Sequence, residues 1–514
     1  MKKLMTRLLS LVLLGAFIPS FALAQEWDLN NGNIIVNAVP GTEQTVSQAG
    51  STPTVDNNPV ITSSGTTINT VTITAAENVT ANVTLENVDI DTSATGKAAI
   101  TTSGQGNVNI ELDGTNTVQS GNDHAGVEKK GDGTLTITDE DKDGSLTATG
   151  GNYGAGIGGG HGSSGSNIAI EGGKVKAIGG SLGAGIGGGK DGSGSNIAIK
   201  GGKVEAISVG GGAGIGGGSL GSGSNIAIKG GEVTAQGGVG GAGIGGGQGG
   251  SGSKITISDG KVTATGAGAG AGIGGGYAGS GEGITIEGGE VTARGDLGGA
   301  GIGGGIGGTG SDVTISGDAQ VKVQGGRAEI QGGTTGEYWH KGAAIGNGGT
   351  RTTEGNEVSP NTSDLKVEGF IQIYEPGKNI NTDTPDKTIE GQKGDHSWNA
   401  GEVTTAETVP ESKAAAYWVS DPEGQSIPYQ AQQKDGVLTV TVQADTASLR
   451  GTTESLRQLE AQGITGIRFV TNRAQSDFTL SDLLTSGTGS FTLTHDGDKV
   501  TFTLENTDIS GILK

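Results

Sequence analysis

The sequence repeats itself with a period of 29 residues. The segment Gly-Ala-Gly-Ile-Gly-Gly-Gly occurs six times, and its isoleucines are Ile157, Ile186, Ile215, Ile244, Ile273 and Ile302. Degenerate copies precede and follow this run, at Ala125-Gly126-Val127 and at Ala344-Ile345-Gly346. A fixed period of this length is typical of a solenoid, whose repeats bury their apolar residues only by stacking on neighbouring repeats. We therefore expect a stack of equal coils in the middle of the chain.

Each repeat contains three short segments in which apolar residues alternate with small or polar ones. In one repeat these are Ile197-Ala198-Ile199, Val204-Glu205-Ala206 and Ala213-Gly214-Ile215, and glycines such as Gly201-Gly202 separate them. Alternation with a period of two predicts β-strands, and the glycines predict bends. Three strands and three bends close a triangular coil, so we predict an all-β parallel solenoid with coils about 4.8 Å apart.

One polar position also recurs with the same period. Asn167, Asn196 and Asn225 share a register, which predicts a ladder of side-chain amides hydrogen-bonded from coil to coil. A disordered Gly/Ser linker is the competing interpretation of so glycine-rich a segment. A linker does not keep apolar residues in register over six repeats, so we favour the ordered solenoid.

The composition excludes several classes of protein. The chain has 106 glycines among 514 residues but no strict Gly-X-Y period, so it is not a collagen. Aromatic residues make up only 3%, which is too few for an ordinary layered core, and there is no cysteine to form disulfides. A formal net charge of −22 disfavours nucleic acid and anionic surfaces as partners, and favours basic polymers and divalent cations.

The first 24 residues have the pattern of a secretory signal peptide. A basic start with Lys2, Lys3 and Arg7 precedes an apolar run, and Ala22-Leu23-Ala24 has the form of a cleavage site. The apolar run is short for a membrane span, and no later stretch is long enough. We expect an exported protein, secreted or at the cell surface, with no membrane span after the signal is removed.

Shifts in composition predict five segments. They are a signal peptide (1–24), an N-terminal cap with irregular coils (25–120), the regular Gly-rich coils (121–327), a closing cap and linker (328–411) and a small α/β domain (412–514). In the last segment we predict a strand at 438–442, a helix at 454–460, a strand at 467–470, and a hairpin of 491–494 with 500–504.

An acidic segment in the first coils is a candidate metal site. Asp139, Asp141 and Asp143 occupy alternate positions and Gly144 follows them. Oxygen ligands at this spacing suit a hard cation such as calcium. The twelfth position of the loop is Gly150, where a bidentate acid would be expected, so an acidic turn between two strands is the alternative interpretation.

Exposed aromatic rings and a row of lysines are candidate contacts for sugars. The aromatic candidates are Tyr153, His161 and Tyr277 in the coils, and Tyr338 and Trp339 in the closing segment. Their alternative role is to close the apolar end of the solenoid. Lys174 and Lys203 share a register and predict a basic stripe, although solvated surface lysines explain the pattern equally well.

No catalytic or nucleotide-binding motif has its required context. Gly154 to Gly159 has the G-x-G-x-x-G spacing of a dinucleotide site, but no helical pattern follows it. The histidines, at 124, 161, 340, 396 and 495, show neither metal-ligand spacing nor a nucleophile motif. We therefore expect a protein that is not an enzyme.

A family resemblance adds to this interpretation. The stretch from Val108 to Val118, the stretch from Gly144 to Gly151 and the glycine-rich coils together resemble the carbohydrate-binding β-helix domains of secreted and cell-surface proteins in clostridia and related gut bacteria. The resemblance covers residues 60 to 350. It implies a right-handed parallel β-helix, similar in fold to polysaccharide lyases, that binds an acidic plant polysaccharide such as polygalacturonate with calcium.

Three hypotheses for function follow. The first is a non-catalytic protein that holds an extracellular acidic polysaccharide along the β-helix, with calcium bridging the like charges. The second is a structural stalk or adhesin, which presents its C-terminal domain to a surface protein. The third is a polysaccharide lyase, which the fold analogy alone supports.

Overall fold

A computed structural model describes residues 25–327, much of 329–398 and, with short gaps, 417–513. The predicted signal peptide, residues 1–24, lies outside the described residues. The chain divides into two compact units, Met1–Thr405 and Ala406–Lys514. Among the described helices, none has the length and apolarity to cross a membrane.

The first unit is a parallel β-helix in which three rows of strands run along the stack. Row A comprises Glu26–Asp28, Val60–Thr62, Thr80–Glu86, Asn107–Asp113, Leu135–Thr138, Gly165–Ile170, Gly194–Ile199, the first part of Gly223–Val239, the first part of Gly252–Ala267, Gly281–Ile286, Gly310–Ile315 and Ser363–Val367. Row B comprises Asp89–Asp91, Thr115–Gln119, Ser145–Thr149, Lys174–Gly179, Lys203–Ser208, the remainder of Gly223–Val239 and of Gly252–Ala267, Glu290–Arg294, Gln320–Gln324 and Phe370–Tyr374. Row C comprises Ile34–Ala38, Val71–Ala75, Ile100–Ser103, Val127–Lys129, Ile157–Gly158, Ile186–Gly187, Ile215–Gly216, Ile244–Gly245, Ile273–Gly274, Ile302–Gly303 and Ile345–Gly346.

The predicted stacking of equivalent residues is confirmed. Ile157 pairs with Ile186 in parallel register, and Ile186 pairs with Ile215. In the coil used for the prediction, Ile197 and Ile199 of row A are fully buried. Val204 and Ala206 of row B and Ile215 of row C are also buried, with at most 1% exposure. The interior of the regular coils therefore consists of stacked Ile, Val and Ala side chains, as the alternation predicted.

Row C contains glycines because both faces of its strands are buried. Every residue from 183 to 189 is buried, so the outer side of the strand is covered as well as the inner side. The segments that flank each row C strand are named the row C loops, which are 150–156 and 159–164 in one coil and 180–185 and 188–193 in the next. A Cβ on Gly187, whose φ is +133°, would lie 2.0 Å from the carbonyl oxygen of Gly216. Only glycine fits so close an approach in that conformation.

The predicted asparagine ladder is also confirmed. The Asn196 side-chain amide donates to Asn167 Oδ1 at 2.9 Å, and that of Asn225 donates to Asn196 Oδ1 at 3.2 Å. All three residues have φ between 51° and 57°, which is left-handed backbone that asparagine tolerates well. Asp312, at the same position of a later coil, has φ 49°. The requirement at this position is thus for a residue that accepts a left-handed bend.

Antiparallel strands cover both ends of the β-helix. At the start, Ile34–Ala38 pairs with Thr45–Gln48, which pairs in turn with Thr54–Val55. At the other end, Lys387–Glu390 pairs with row B and Ser397–Trp398 pairs with row A. The segment predicted as a closing cap and linker also contains a further coil, because Ile345–Gly346, Ser363–Val367 and Phe370–Tyr374 extend rows C, A and B. The 29-residue period is lost here because other segments lie between these strands in the sequence. They include a short sheet of Glu329–Ile330, Tyr338–Trp339 and Arg351–Thr352.

The second unit has its own core and two sheets. One sheet comprises Tyr417–Ser420, Thr446–Thr452, Ser490–Asp496, Lys499–Leu504 and Thr507–Asp508, and the other comprises Gln430–Lys434, Val437–Thr441, Gly466–Val470 and Gln475–Thr479. Two helices, Thr453–Ala461 and Leu480–Ser486, accompany them. The predicted strands, first helix and hairpin are all present, whereas the second helix was not predicted.

Candidate functional site

The predicted metal ligands lie where row A turns into row B, a position that we name the AB corner. It comprises residues 139–145 in one coil and 171–174, 200–203 and 229–232 in the next three, so that it includes the first residue of each row B strand. Two carboxylates of the preceding coil lie beside the predicted ligands. Oxygen atoms of Glu111, Asp139 and Asp141 lie within 4.8 Å of one another, and so do those of Asp113, Asp141 and Asp143.

Hydrogen bonds fix the orientation of several of these carboxylates. Glu111 accepts from the Thr138 hydroxyl and, at 2.7 Å, from the backbone N–H of Glu140. Asp139 accepts from the backbone N–H of Gly144 at 3.1 Å. Asp113 is 4% exposed, so its position is set by the surrounding coil. The cluster of Glu111, Asp113, Asp139, Asp141 and Asp143 is therefore called the acidic cluster below.

The crowding of carboxylates changes their proton affinity. Desolvation, a hydrogen bond with Asp143 and the negative charges of Asp143, Asp113 and Asp139 raise the pKa of Asp141 to about 6. Burial is the main cause of a raised pKa at Glu111. A cation placed among these oxygens would offset the repulsion between carboxylates that adds to burial in raising the pKa values of Asp141 and Glu111. The donor set contains only carboxylate oxygens, which suits a hard divalent ion such as calcium.

Glu111 and Asp113 were not identified from the sequence. They belong to a coil that does not obey the 29-residue period, since Glu111 is in register with Thr138, 27 positions later. An offset of 29 places Glu111 level with Glu140 and Asp113 level with Lys142, each between two of the predicted ligands. The available signal is the alternation of Glu111 and Asp113, which matches that of the later aspartates.

The predicted basic stripe lies at the same corner, but glutamates divide it. Lys174 and Lys203 are in register, as predicted. Lys203 binds Glu232 of the following coil at 3.0 Å. Three positions before Lys203, Lys200 binds Glu171 of the preceding coil at 2.6 Å.

Two lysines of this corner are nevertheless free to bind an anion. Among the residues that the structure describes, neither Lys174 nor Lys229 forms a salt bridge. The lysines adjoin the acidic cluster, because the backbone of Gly172 and Gly173 lies against Asp139. The AB corner thus places Lys174 one coil after the carboxylates, and Glu171 of the same coil pairs with Lys200.

A second group of predicted residues lies on the row C loops. The rings of Tyr153 and His161 are 4.9 Å apart between centroids, so the structure brings these two candidates together. Lys190 Nζ lies 5.9 Å from the centre of the tyrosine ring. His161 Nδ1 is 3.1 Å from Asp123, and its Nε2 is 3.7 Å from Asp191. We name these five residues the tyrosine cluster.

A buried carboxylate that was not predicted lies behind the tyrosine cluster. The Glu128 side chain is 4% exposed, and its carboxylate is 2.5 Å from His124 Nδ1 and 3.0 Å from Lys130 Nζ. A Cβ on Gly160 would lie 3.2 Å from Glu128 Oε1, so this carboxylate reaches the residue that precedes His161. Glu128 occupies a row C position that is glycine in the regular coils, and this replacement was the available signal.

The remaining aromatic candidates are separate from this cluster. Tyr277 occupies the same register as His161 and Lys190 but belongs to the fourth coil after that of His161, roughly 19 Å along the stack. Tyr338–Trp339 forms a short strand between two others, and the side chains of both residues lie outside the described part of the chain. The predicted sugar contacts are therefore distributed over several places.

Comparison with known proteins agrees with the fold. The architecture defines a parallel β-helix protein, and six segments match a family model described as a beta helix repeat. They are residues 142–161, 168–190, 197–219, 226–248, 255–277 and 284–308. No curated protein and no solved structure matches the chain. The comparisons therefore support the β-helix repeats.

Proposed function

We propose that this chain is a secreted or cell-surface, non-catalytic protein that binds an acidic polysaccharide along the AB corner. Calcium would occupy the acidic cluster and bridge it to the carboxylates of the polymer. The observation that carries this proposal is that an all-oxygen cluster and Lys174 lie in adjacent coils at the same corner. The beta helix repeats are compatible with such a role.

The charges explain why a cation is needed. A chain with a net charge of −22 repels a polyanion, and the repulsion between close carboxylates is weakened when a divalent cation lies between them. The unpaired Lys174 and Lys229 would supply further attraction. Successive coils are about 4.8 Å apart, so an extended polymer could contact the same corner coil after coil.

The test is binding of polygalacturonate by the full chain, measured by calorimetry with calcium and then with a chelator. We expect binding in calcium that is lost on chelation, and at least tenfold weaker binding by an Asp141→Asn, Asp143→Asn double variant. Glu77→Gln is the matched control, because Glu77 is exposed on a different turn of the coil. Equal binding with and without chelator would exclude the calcium bridge.

The stalk or adhesin is the second candidate, and the separate core of the second unit favours it. A chain ending at residue 405 distinguishes the two functions. Retention of polysaccharide binding supports the β-helix as the binding surface, whereas attachment to a surface protein that disappears with the second unit supports the adhesin. Release of unsaturated, ultraviolet-absorbing products from pectic substrates would instead identify a lyase.

A further inference from the structure

We infer that the tyrosine cluster is a second binding site, specific for a neutral sugar and independent of calcium. This site is on the row C loops, away from the AB corner, and does not depend on the function proposed for that corner. Its residues come from three successive coils: Asp123 from the first, Tyr153 and His161 from the second, and Lys190 and Asp191 from the third. The stacking of coils therefore assembles it.

The apolar component of the site is an aromatic surface. Tyr153 is half-buried and His161 is exposed, and their rings are inclined by 36° at a centroid distance of 4.9 Å. A pyranose ring has an apolar face of C–H groups that packs against such a surface, while its hydroxyls remain at the edge. Binding sites for small molecules typically combine an aromatic surface with a few well-placed polar groups.

The polar component of the site consists of the charged side chains beside these two rings. Lys190 Nζ is 2.7 Å from Asp191, and His161 lies between Asp191 and Asp123. All four side chains are partly exposed, with relative side-chain exposures between 29% and 55%. Carboxylates, imidazole and ammonium together offer both acceptors and donors, as the hydroxyls of a sugar require.

The charges of the cluster favour a neutral ligand. The cluster contains two carboxylates and one ammonium group, so it has no excess of positive charge for an acidic sugar to bind. The buried Glu128, held by His124 and Lys130, adds a carboxylate immediately behind. The Glu128 carboxylate lies close to Gly160, the residue that precedes His161.

The residues equivalent to Tyr153 in other coils show which substitution the fold accepts at this position. Positions equivalent to Tyr153 are occupied by Leu182, Gly211, Gly240 and Ala269, whose carbonyls accept the same inter-loop hydrogen bond as that of Tyr153. A small side chain is thus compatible with the fold there, and Tyr153→Ala is expected to fold. Tyr277→Ala is the matched control, because Tyr277 is a partly exposed aromatic on the same loops but four coils later.

The experiment measures binding of neutral xylo-, manno-, gluco- and galacto-oligosaccharides by the full chain in the presence of a chelator, using saturation-transfer NMR and calorimetry. We expect one class to bind, with affinity reduced about tenfold or more by Tyr153→Ala and by Asp191→Asn. Tyr277→Ala and the Asp141→Asn, Asp143→Asn variant should bind that sugar normally. Circular dichroism confirms that each variant is folded.

Two results would overturn this inference. One is the absence of binding by every neutral oligosaccharide, and the other is unchanged affinity in a folded Tyr153→Ala variant. Neither result affects the polysaccharide proposed for the AB corner, whose binding requires calcium and is measured with polygalacturonate. Conversely, loss of polygalacturonate binding in the aspartate variant leaves the neutral-sugar site intact.

Discussion

At the scale of single residues, the pKa values of two groups are shifted in opposite directions, upward for Asp141 and downward for His495. In the acidic cluster, desolvation and then the neighbouring carboxylates raise the pKa of Asp141, so it retains its proton to higher pH. In the second unit, His495 is completely buried between Thr471 and Ser476, which it contacts at 3.2 and 2.9 Å. Burial lowers the pKa of this imidazole to about 4. Each group makes the free energy of unfolding depend on pH, and the two dependences have opposite signs.

We predict that calcium binding strengthens as pH rises through about 6. Between pH 3.8 and about 6 the folded chain holds a proton on Asp141 that the unfolded chain has lost, so without calcium stability falls as pH rises through this range. Calcium must displace the same proton, so its affinity rises with pH. Calorimetric titration at pH 5 and pH 7 measures this, and the Asp141→Asn variant should show a weaker dependence.

The second unit should lose stability as pH falls from about 6.5 toward 4. Unfolding exposes His495 to water and allows it to bind a proton that the folded state excludes, so the stability it contributes is complete only above its ordinary pKa. Hydrogen exchange of peptides covering 466–496 at pH 7 and pH 5 reports the opening of this unit. Protection that is equal at both pH values in wild type would contradict the prediction.

At the scale of elements, the repeated strands were predicted, whereas the contacts between charged side chains of neighbouring coils were not. The coil, its three strands and the asparagine ladder all repeat every 29 residues, so alignment of the repeats identified them. The acidic cluster required Glu111, which stacks at a different offset. The glutamates that divide the lysine stripe do lie 29 positions from their lysines, so that signal was present in the sequence.

Two other elements could not be predicted from local patterns. The helix Leu480–Ser486 has only seven residues, which is too short for an amphipathic period to be recognised. The row C loops are glycine-rich and have no alternation, so no local pattern in the sequence predicted their conformation. Tyr153 and His161 lie together in the structure because they flank one row C strand and are eight positions apart.

We predict that Gly187→Ala destabilises the β-helix by roughly 2–3 kcal/mol, because it combines a left-handed conformation with a contact that backbone atoms cannot relieve. Gly162→Ala is the matched control. Its φ is +71°, but no atom lies within 4 Å of the added Cβ, so only the conformational cost of about 1 kcal/mol applies. Denaturant unfolding measures both, and equal losses would show that the close contact is unimportant.

The asparagine ladder provides an independent measure of stacking. We expect Asn196→Ala to cost about 1–2 kcal/mol, since it removes amide bonds to two coils and places alanine in a left-handed bend. Asn196→Gly removes the same bonds but accepts the bend, so it should cost less. A glycine variant less stable than the alanine variant would indicate that backbone conformation is not the main requirement here.

At the scale of the whole molecule, two units with separate cores should respond separately to ligands. The acidic cluster belongs to the first unit, so calcium at one hundred times its dissociation constant should stabilise that unit by about 2.7 kcal/mol. We predict no change in the second unit. Hydrogen exchange with and without calcium distinguishes them, because peptides from 25–327 should gain protection while those from 466–496 should not. Protection in both regions would show that the units are coupled.

The identical register of successive coils has a consequence for how such a chain can change. Each row C isoleucine lies on the next one, so excision of 29 residues leaves a junction equivalent to the one removed. Slippage during replication of a repetitive gene can therefore add or delete whole coils and still yield a folded product, whereas a single-codon insertion shifts every later side chain. Length is the property that this architecture can vary with the least disturbance.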